Sequence, residues 1–201
     1  MGAAPKSRFQ EIRQEKKSMI KKILLGIVIV VVVLVVVFVC VTALQPAHYH
    51  VERSATINAP APVVFAQVND FHKWEAWSPW AKMDPAMKQS YEGPPAGNGA
   101  VYSWAGNSQV GEGRMTITES HPSDLIKIKL EFIKPWSATN ATDFTFKPQG
   151  DQTAVTWTMD GDNNFMGKAF GLFMNMDKTI GGDFEKGLAQ MKAVAEAAPK
   201  R

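Results

Sequence analysis

The chain has 201 residues and a formal charge of +3, with 22 Lys and Arg against 19 Asp and Glu and a single cysteine. That excess sits in the first 22 residues, where seven basic residues (Lys6, Arg8, Arg13, Lys16, Lys17, Lys21 and Lys22) face only Glu11 and Glu15; from residue 45 on, acidic residues outnumber basic ones. The globular part therefore has no basic field of the kind that binds nucleic acid, and one cysteine excludes a disulfide framework.

Residues 23–44 carry no charge and are almost entirely Val, Ile, Leu, Phe and Ala. As a helix, 22 such residues span about 33 Å, enough to cross a bilayer core with a little tilt. A cleaved signal peptide is the competing reading. It fits less well, because the run exceeds the usual apolar core of a signal and no A-x-A site follows it. Cys40 is preceded by β-branched Val39, where a lipoprotein signal requires a small residue. The basic residues before the span place 1–22 as a cytoplasmic tail and the rest outside a cell membrane, the inner membrane of a bacterium. The expected organisation is tail 1–22, transmembrane helix 23–44, linker 45–50 and one domain over 51–197.

From Val51 the pattern changes to alternation. A strand is expected over 51–57. Asn58, Ala59 and Pro60 then form a helix start, with a short helix over 60–69 and a second over 70–77 that ends before Pro79. Six strands follow, at about 87–91, 100–104, 112–119, 125–133, 139–146 and 153–159. Turn signals separate them: Gly93-Pro94-Pro95, Gly97-Asn98-Gly99, Gly106-Asn107, His121-Pro122, Lys134-Pro135 and Gln149-Gly150-Asp151. Ile126, Ile128, Leu130 and Phe132 point one way and Lys127, Lys129 and Glu131 the other. Val155, Trp157 and Met159 oppose Thr156 and Thr158 in the same manner. Strands with one covered face and one wet face argue for an antiparallel sheet. The chain closes on an amphipathic helix expected over 165–197, with apolar residues from Phe165 to Ala195 at steps of three and four. Gly181-Gly182 in its middle predicts a bend or a close approach by another backbone.

The fold class is therefore α+β: a seven-stranded antiparallel sheet covered by the long C-terminal helix. Three stretches stand out within that order. The first is Ser54-Ala55-Thr56-Ile57-Asn58-Ala59-Pro60 with Val63, Phe65, Asp70, Trp74 and Trp77-Ser78-Pro79-Trp80. The second is 97–104 followed by 111–119. The third is Gly181-Gly182-Asp183-Phe184-Glu185-Lys186-Gly187-Leu188. Together with the order of elements, these stretches resemble the polyketide cyclase/dehydrase branch of the START-like (SRPBCC) superfamily. The resemblance implies the helix-grip fold of birch-pollen allergens and lipid-transfer domains, with a curved sheet wrapped on the last helix. It implies a cavity between the two that binds lipids, hormones or other apolar molecules, and in a few members cyclises aromatic polyketides. It implies no cofactor.

Aromatic residues are the leading functional candidates. Trp80, Tyr91, Trp104, Phe132, Phe144, Trp157 and Phe173 are expected ligand contacts, against the competing reading that they fill the core. Arg114 would anchor an acidic head group, unless it and Glu112 simply form a solvated pair. Asn140 shares the parity of Phe144 and Phe146 and would orient a ligand inside an apolar pocket. Asp70, His72, Arg114 and Glu112 are the plausible acid–base groups; Asp70 and His72 could act as a pair, with Asp70 as a helix cap the plainer reading. His48 and His50 are too few for a metal site, and none is expected. The run 160–164 resembles a calcium loop but lacks the Gly at its sixth and the Glu at its twelfth position, and capping of the last helix explains it better. No nucleophile elbow, phosphate loop or dinucleotide motif is present. These observations leave three readings open: a membrane-tethered binding module for an apolar or lipid-like small molecule, an enzyme of cyclase or dehydratase type, and a ligand-free partner of another membrane protein.

Overall fold

In the computed structural model, residues 8–198 are described, so Lys6 and the rest of 1–7 of the expected tail lie outside them. The chain divides into two compact units after Gln45. The first holds helix α1, Arg8–Ala43. It begins well before the apolar run, so the basic residues from Arg8 on continue the helix. Among the described residues it is the one helix long and apolar enough to cross a membrane, with a window of mean hydropathy 3.8.

The second unit opens with β1 (His48–Ile57), which starts three residues before the expected domain boundary. There follow α2 (Ala61–Asn69), a 3-10 turn at Phe71–Lys73 and α3 (Trp74–Trp77). Pro60 stands at the N-cap of α2 with no side-chain hydrogen bond, so Asn58 is not the cap. Its backbone N–H instead donates to Glu196 at 2.7 Å. The six further strands are β2 (Lys88–Glu92), β3 (Val101–Ala105), β4 (Glu112–His121), β5 (Leu125–Lys134), β6 (Ala138–Gln149) and β7 (Gln152–Asp162).

All seven strands form one curved antiparallel sheet in the order β1-β7-β6-β5-β4-β3-β2. Register breaks in β4 between Glu112 and Gly113 and between Ile117 and Glu119 are the irregularities that bend such sheets. The C-terminal segment is two helices rather than one: α4 (Phe165–Gly171) and α5 (Met176–Glu196). The break has a local cause. The Asn175 side chain accepts from Lys178 N–H at 3.0 Å, which caps a new helix start instead of continuing the old one.

The inner face of the sheet is filled where α2, α3 and α5 cover it. Trp157 stacks on Phe184 of α5, with ring centroids 3.9 Å apart and planes 7° apart, and Phe144 stacks on Trp157 at 4.7 Å. Trp74 and Trp77 meet these rings edge-on. Every indole N–H in this cluster is satisfied: Trp74 by Val68 O, Trp77 by Gln67 O and Trp157 by Thr142 Oγ1. Gly181 is explained by a side chain, not a backbone: a Cβ there would overlap the Arg53 guanidinium. Arg53 reaches from β1 to Asp177 at 2.9 Å and Glu185 at 2.7 Å, so the glycine lets a cation pass between α5 and the sheet.

Phe184→Ala removes the ring on which this core closes and is expected to cost about 3–5 kcal/mol, read by urea unfolding of the full chain in detergent. The Arg53 clamp carries a pH signature. Arg53 holds the Asp177 carboxyl below its usual range through their hydrogen bond. A depressed folded value gives stabilisation that is present above the unfolded value and lost as pH falls through the folded one. The stability difference between wild type and Arg53→Met should therefore persist down to about pH 4 and shrink below it.

Candidate functional site

At the opposite end of the inner face the side chains are only half buried. The antiparallel register sets Tyr91 beside Tyr102 and Trp104 beside Gly113, which in turn pairs with Phe132. The rings form a continuous ladder across four strands. Tyr91 lies 5.3 Å from Tyr102, Tyr102 stacks on Trp104 at 5.9 Å and 19°, and Trp104 meets Phe132 edge-on at 6.1 Å. The outer end of the ladder continues into His72, stacked on Tyr91 at 4.0 Å. Trp104 is oriented by its indole N–H, which donates to Val110 O at 3.0 Å.

Two glycines form the floor at this end. A Cβ at Gly113 would overlap the six-membered ring of Trp104, and one at Gly161 would overlap Asn140 and the Tyr49 ring. Side chains on neighbouring strands therefore lie flat across positions that have none. Met115, Leu130, Asn140 and Met159 complete this end of the face and are buried. The Asn140 amide and the Tyr49 hydroxyl both approach the Met159 sulfur, each at 3.9 Å.

A cleft of about 240 Å³ opens beside Tyr91, lined by Phe71, His72, Pro94 and Val101 among others. This is slightly below the usual range for small-molecule sites and suits a ring or a short chain. The phenols of the ladder titrate high. Burial pushes up Tyr91, and it pushes Tyr102 up to about 12. Both are neutral hydroxyls near pH 7 and do not act as bases; the Tyr91 hydroxyl donates to Gln89 Oε1 at 3.0 Å and keeps its lone pairs to accept. At the rim, His72 Nδ1 lies 2.9 Å from Asp70 Oδ1, and the same carboxylate caps the 3-10 turn through His72 N–H at 3.0 Å.

The nine sequence candidates thus separate. Tyr91, Trp104 and Phe132 come together in the ladder. Asn140 lies on the same face, buried beside Met159. Phe144 and Trp157 are 0% and 1% exposed and belong to the packed core, with Trp80 at its edge, 5.9 Å from Trp157. Arg114 is on the other face of the sheet, exposed and 3.6 Å from Glu92, so it does not line the aromatic end. Glu112, on that outer face, pairs with Lys134. Phe173 is 80% exposed in the link between α4 and α5. His48 and His50 pair across the strands with Asp162 and Asp160. The run 160–164 holds the end of β7 and then Asn164, which caps α4 by accepting from Gly167 N–H. Tyr102 belongs to the same aromatic set and shares the parity of Trp104, although it is not among the nine, and sequence reasoning passed over Tyr49 as a site residue. It had no means to find Gly113 or Gly161, whose role exists only through the cross-strand register.

A family profile described as polyketide cyclase / dehydrase and lipid transport matches residues 48–196, from the first residue of β1 to the last of α5. The chain belongs to this family. A search of curated proteins found no match. Among solved structures, the polyketide cyclase/dehydrase-type domain is similar to CV1439 from Chromobacterium violaceum at 14% identity, covering 77% of this chain and 100% of that one with a TM-score of 0.54. It is similar to MLL2253 from Mesorhizobium loti at 12% identity, covering 76% and 100% with a TM-score of 0.55. It is similar to the Aha1 dimer from Colwellia psychrerythraea at 13% identity, covering 76% and 99% with a TM-score of 0.55. At these identities the likeness is one of fold.

Gly113→Ala should displace the Trp104 ring. Overpacking of this kind costs about 1–3 kcal/mol, and the displaced indole should shift its emission to the red and become more accessible to iodide, while Gly182→Ala, at a helical site with open space, leaves the spectrum unchanged.

Proposed function

We propose that this family member is a membrane-anchored binding module that holds an apolar or lipid-like small molecule against the aromatic end of its sheet. The observation that carries this reading is the ladder Tyr91–Tyr102–Trp104–Phe132, half exposed where the core under α2, α3 and α5 is packed, with its Tyr91 end bordering the open cleft. Stacked faces offer apolar area worth roughly 25 cal/mol per Å² removed from water. The neutral hydroxyls of Tyr91 and Tyr102 give a few polar contacts to orient a ligand without the cost of burying a charge.

The anchor is α1. A helix of this length and hydropathy suits a single crossing, and the basic residues before it favour a cytoplasmic N-terminus with the domain on the far side of the cell membrane. Anchoring keeps the domain where apolar ligands concentrate. One observation favours a second reading, an enzyme of cyclase or dehydratase type in the same site: the Asp70–His72 pair at the rim is a carboxylate-oriented imidazole stacked on a ladder residue.

The test is photolabelling of the full chain in membranes with a diazirine-bearing fatty acid and a diazirine-bearing polycyclic aromatic, followed by peptide mapping. Labels are expected on β3 and on β5 near Phe132. Trp104→Ala should weaken labelling of the β3 and β5 peptides about tenfold, equivalent to ~1.4 kcal/mol, and Arg114→Ala should leave it unchanged. Absence of label from β3 and β5, or labelling there that is indifferent to Trp104, would contradict the binding reading. Ring-closing or dehydrating turnover that is lost in His72→Gln while labelling persists would move the assignment to the second reading.

A further inference from the structure

Six apolar residues around α4 remain exposed in the folded domain. Phe165, Met166 and Phe170 lie on the helix, Phe173 and Met174 in the link after it, and Trp136 in the turn between β5 and β6. Trp136 is 63% exposed and Phe173 80%, and Trp136 packs on Phe170 with ring centroids 5.4 Å apart, so the turn and the helix form one patch. Contiguous apolar surface of this kind on a soluble domain marks a contact site.

Where the patch lies along the chain says what it contacts. β1 pairs with β7 from His48 opposite Asp162, so the point where the chain enters the domain and the point where β7 ends are neighbours. β7 passes directly into α4, and the junction is pinned to the entering chain: Asn163 N–H donates to Ala47 O at 2.7 Å, and Asn163 Nδ2 to Pro46 O at 3.4 Å. The β5–β6 turn is at the same end, since Asn140 of β6 pairs with Gly161, which pairs with Tyr49. Ala43, the last residue of α1, is three residues from Pro46, at most about 11 Å of extended chain.

The geometry points to a membrane-docking face: the α4 patch inserts into the interfacial layer of the bilayer that α1 crosses, so that the domain lies against the lipid instead of swinging on its tether. The partner is the lipid surface. The inference rests on the membrane-anchor reading above. Trp, Phe and Met suit the interface, where amphipathic rings and flexible apolar chains sit at head-group depth.

The experiment uses the full chain in phosphatidylethanolamine–phosphatidylglycerol vesicles, in a Cys40→Ser background, with a nitroxide on Phe173→Cys or Met166→Cys and, as control, on Asp151→Cys in the turn between β6 and β7. Flotation after alkaline extraction reports the anchor, and relaxation by oxygen against a water-soluble nickel chelate reports docking. The expected result is flotation with an oxygen-to-nickel accessibility ratio several-fold higher at 173 and 166 than at 151. Flotation with equal ratios at all three sites would overturn docking and leave the anchor standing. Dipolar broadening at 173 would assign the patch to a second copy of the chain and also overturn it. Loss of flotation would remove the anchor and the proposal together.

Discussion

The stack of Trp157 on Phe184 is the contact on which the rest of the domain depends. A curved sheet with one apolar face must cover that face, and here a stacked aromatic pair ties the last helix to β7, beside the β1 edge. Phe144 extends the stack along the sheet, Trp74 and Trp77 close it from the short helices, and Thr142 satisfies the buried indole. Arg53 adds a polar strap between β1 and α5 at the helix's first turns. With these contacts made, α5 is committed to one part of the sheet and cannot also cover the rest.

What α5 leaves uncovered is the aromatic end. Gly113 and Gly161 lower the floor there, and Tyr49, Tyr102 and Trp104 lie half buried over it. Burial raises all three nearby phenols above their ordinary range, which keeps them as uncharged hydrogen-bonding groups. A face that is apolar, stackable and free of formal charge suits a hydrophobic guest better than a reaction that moves protons. The only carboxylate–imidazole pair at the site sits on its rim and also serves as a cap. In the proposed arrangement, the membrane both supplies the guest and receives the α4 patch.

Much of the fold was legible because its signals are local. Alternation in Ile126–Phe132 and Val155–Met159 set strand faces, the Gly and Pro turns separated the strands, and the step of three to four marked the last helix. The errors are local as well. Asn175 reads as one more residue of an amphipathic run until its side chain is seen to cap a new helix. Gly181 reads as a bend or a close backbone approach, and it is the passage for the side chain of an arginine more than a hundred residues earlier in the chain. The site was only partly legible. Aromatics of the same strand parity cannot be divided into core and surface without knowing which half of the sheet the helix covers. Hence Phe144 and Trp157 read like Trp104 and Phe132 in the sequence, and they are packed shut. Arg114 read as an anchor for an acidic head group, and it instead faces the outer side of the sheet beside Glu92, with Glu112 paired to Lys134.

The central claim is that the uncovered aromatic end holds a small apolar molecule. Native mass spectrometry of the full chain, released from gentle detergent after purification from its membranes, tests it most directly. The account predicts a mass excess of one small, apolar molecule that leaves on denaturation and is diminished in Trp104→Ala. A bare protein mass from several hosts and detergents, unchanged by that substitution, would contradict it.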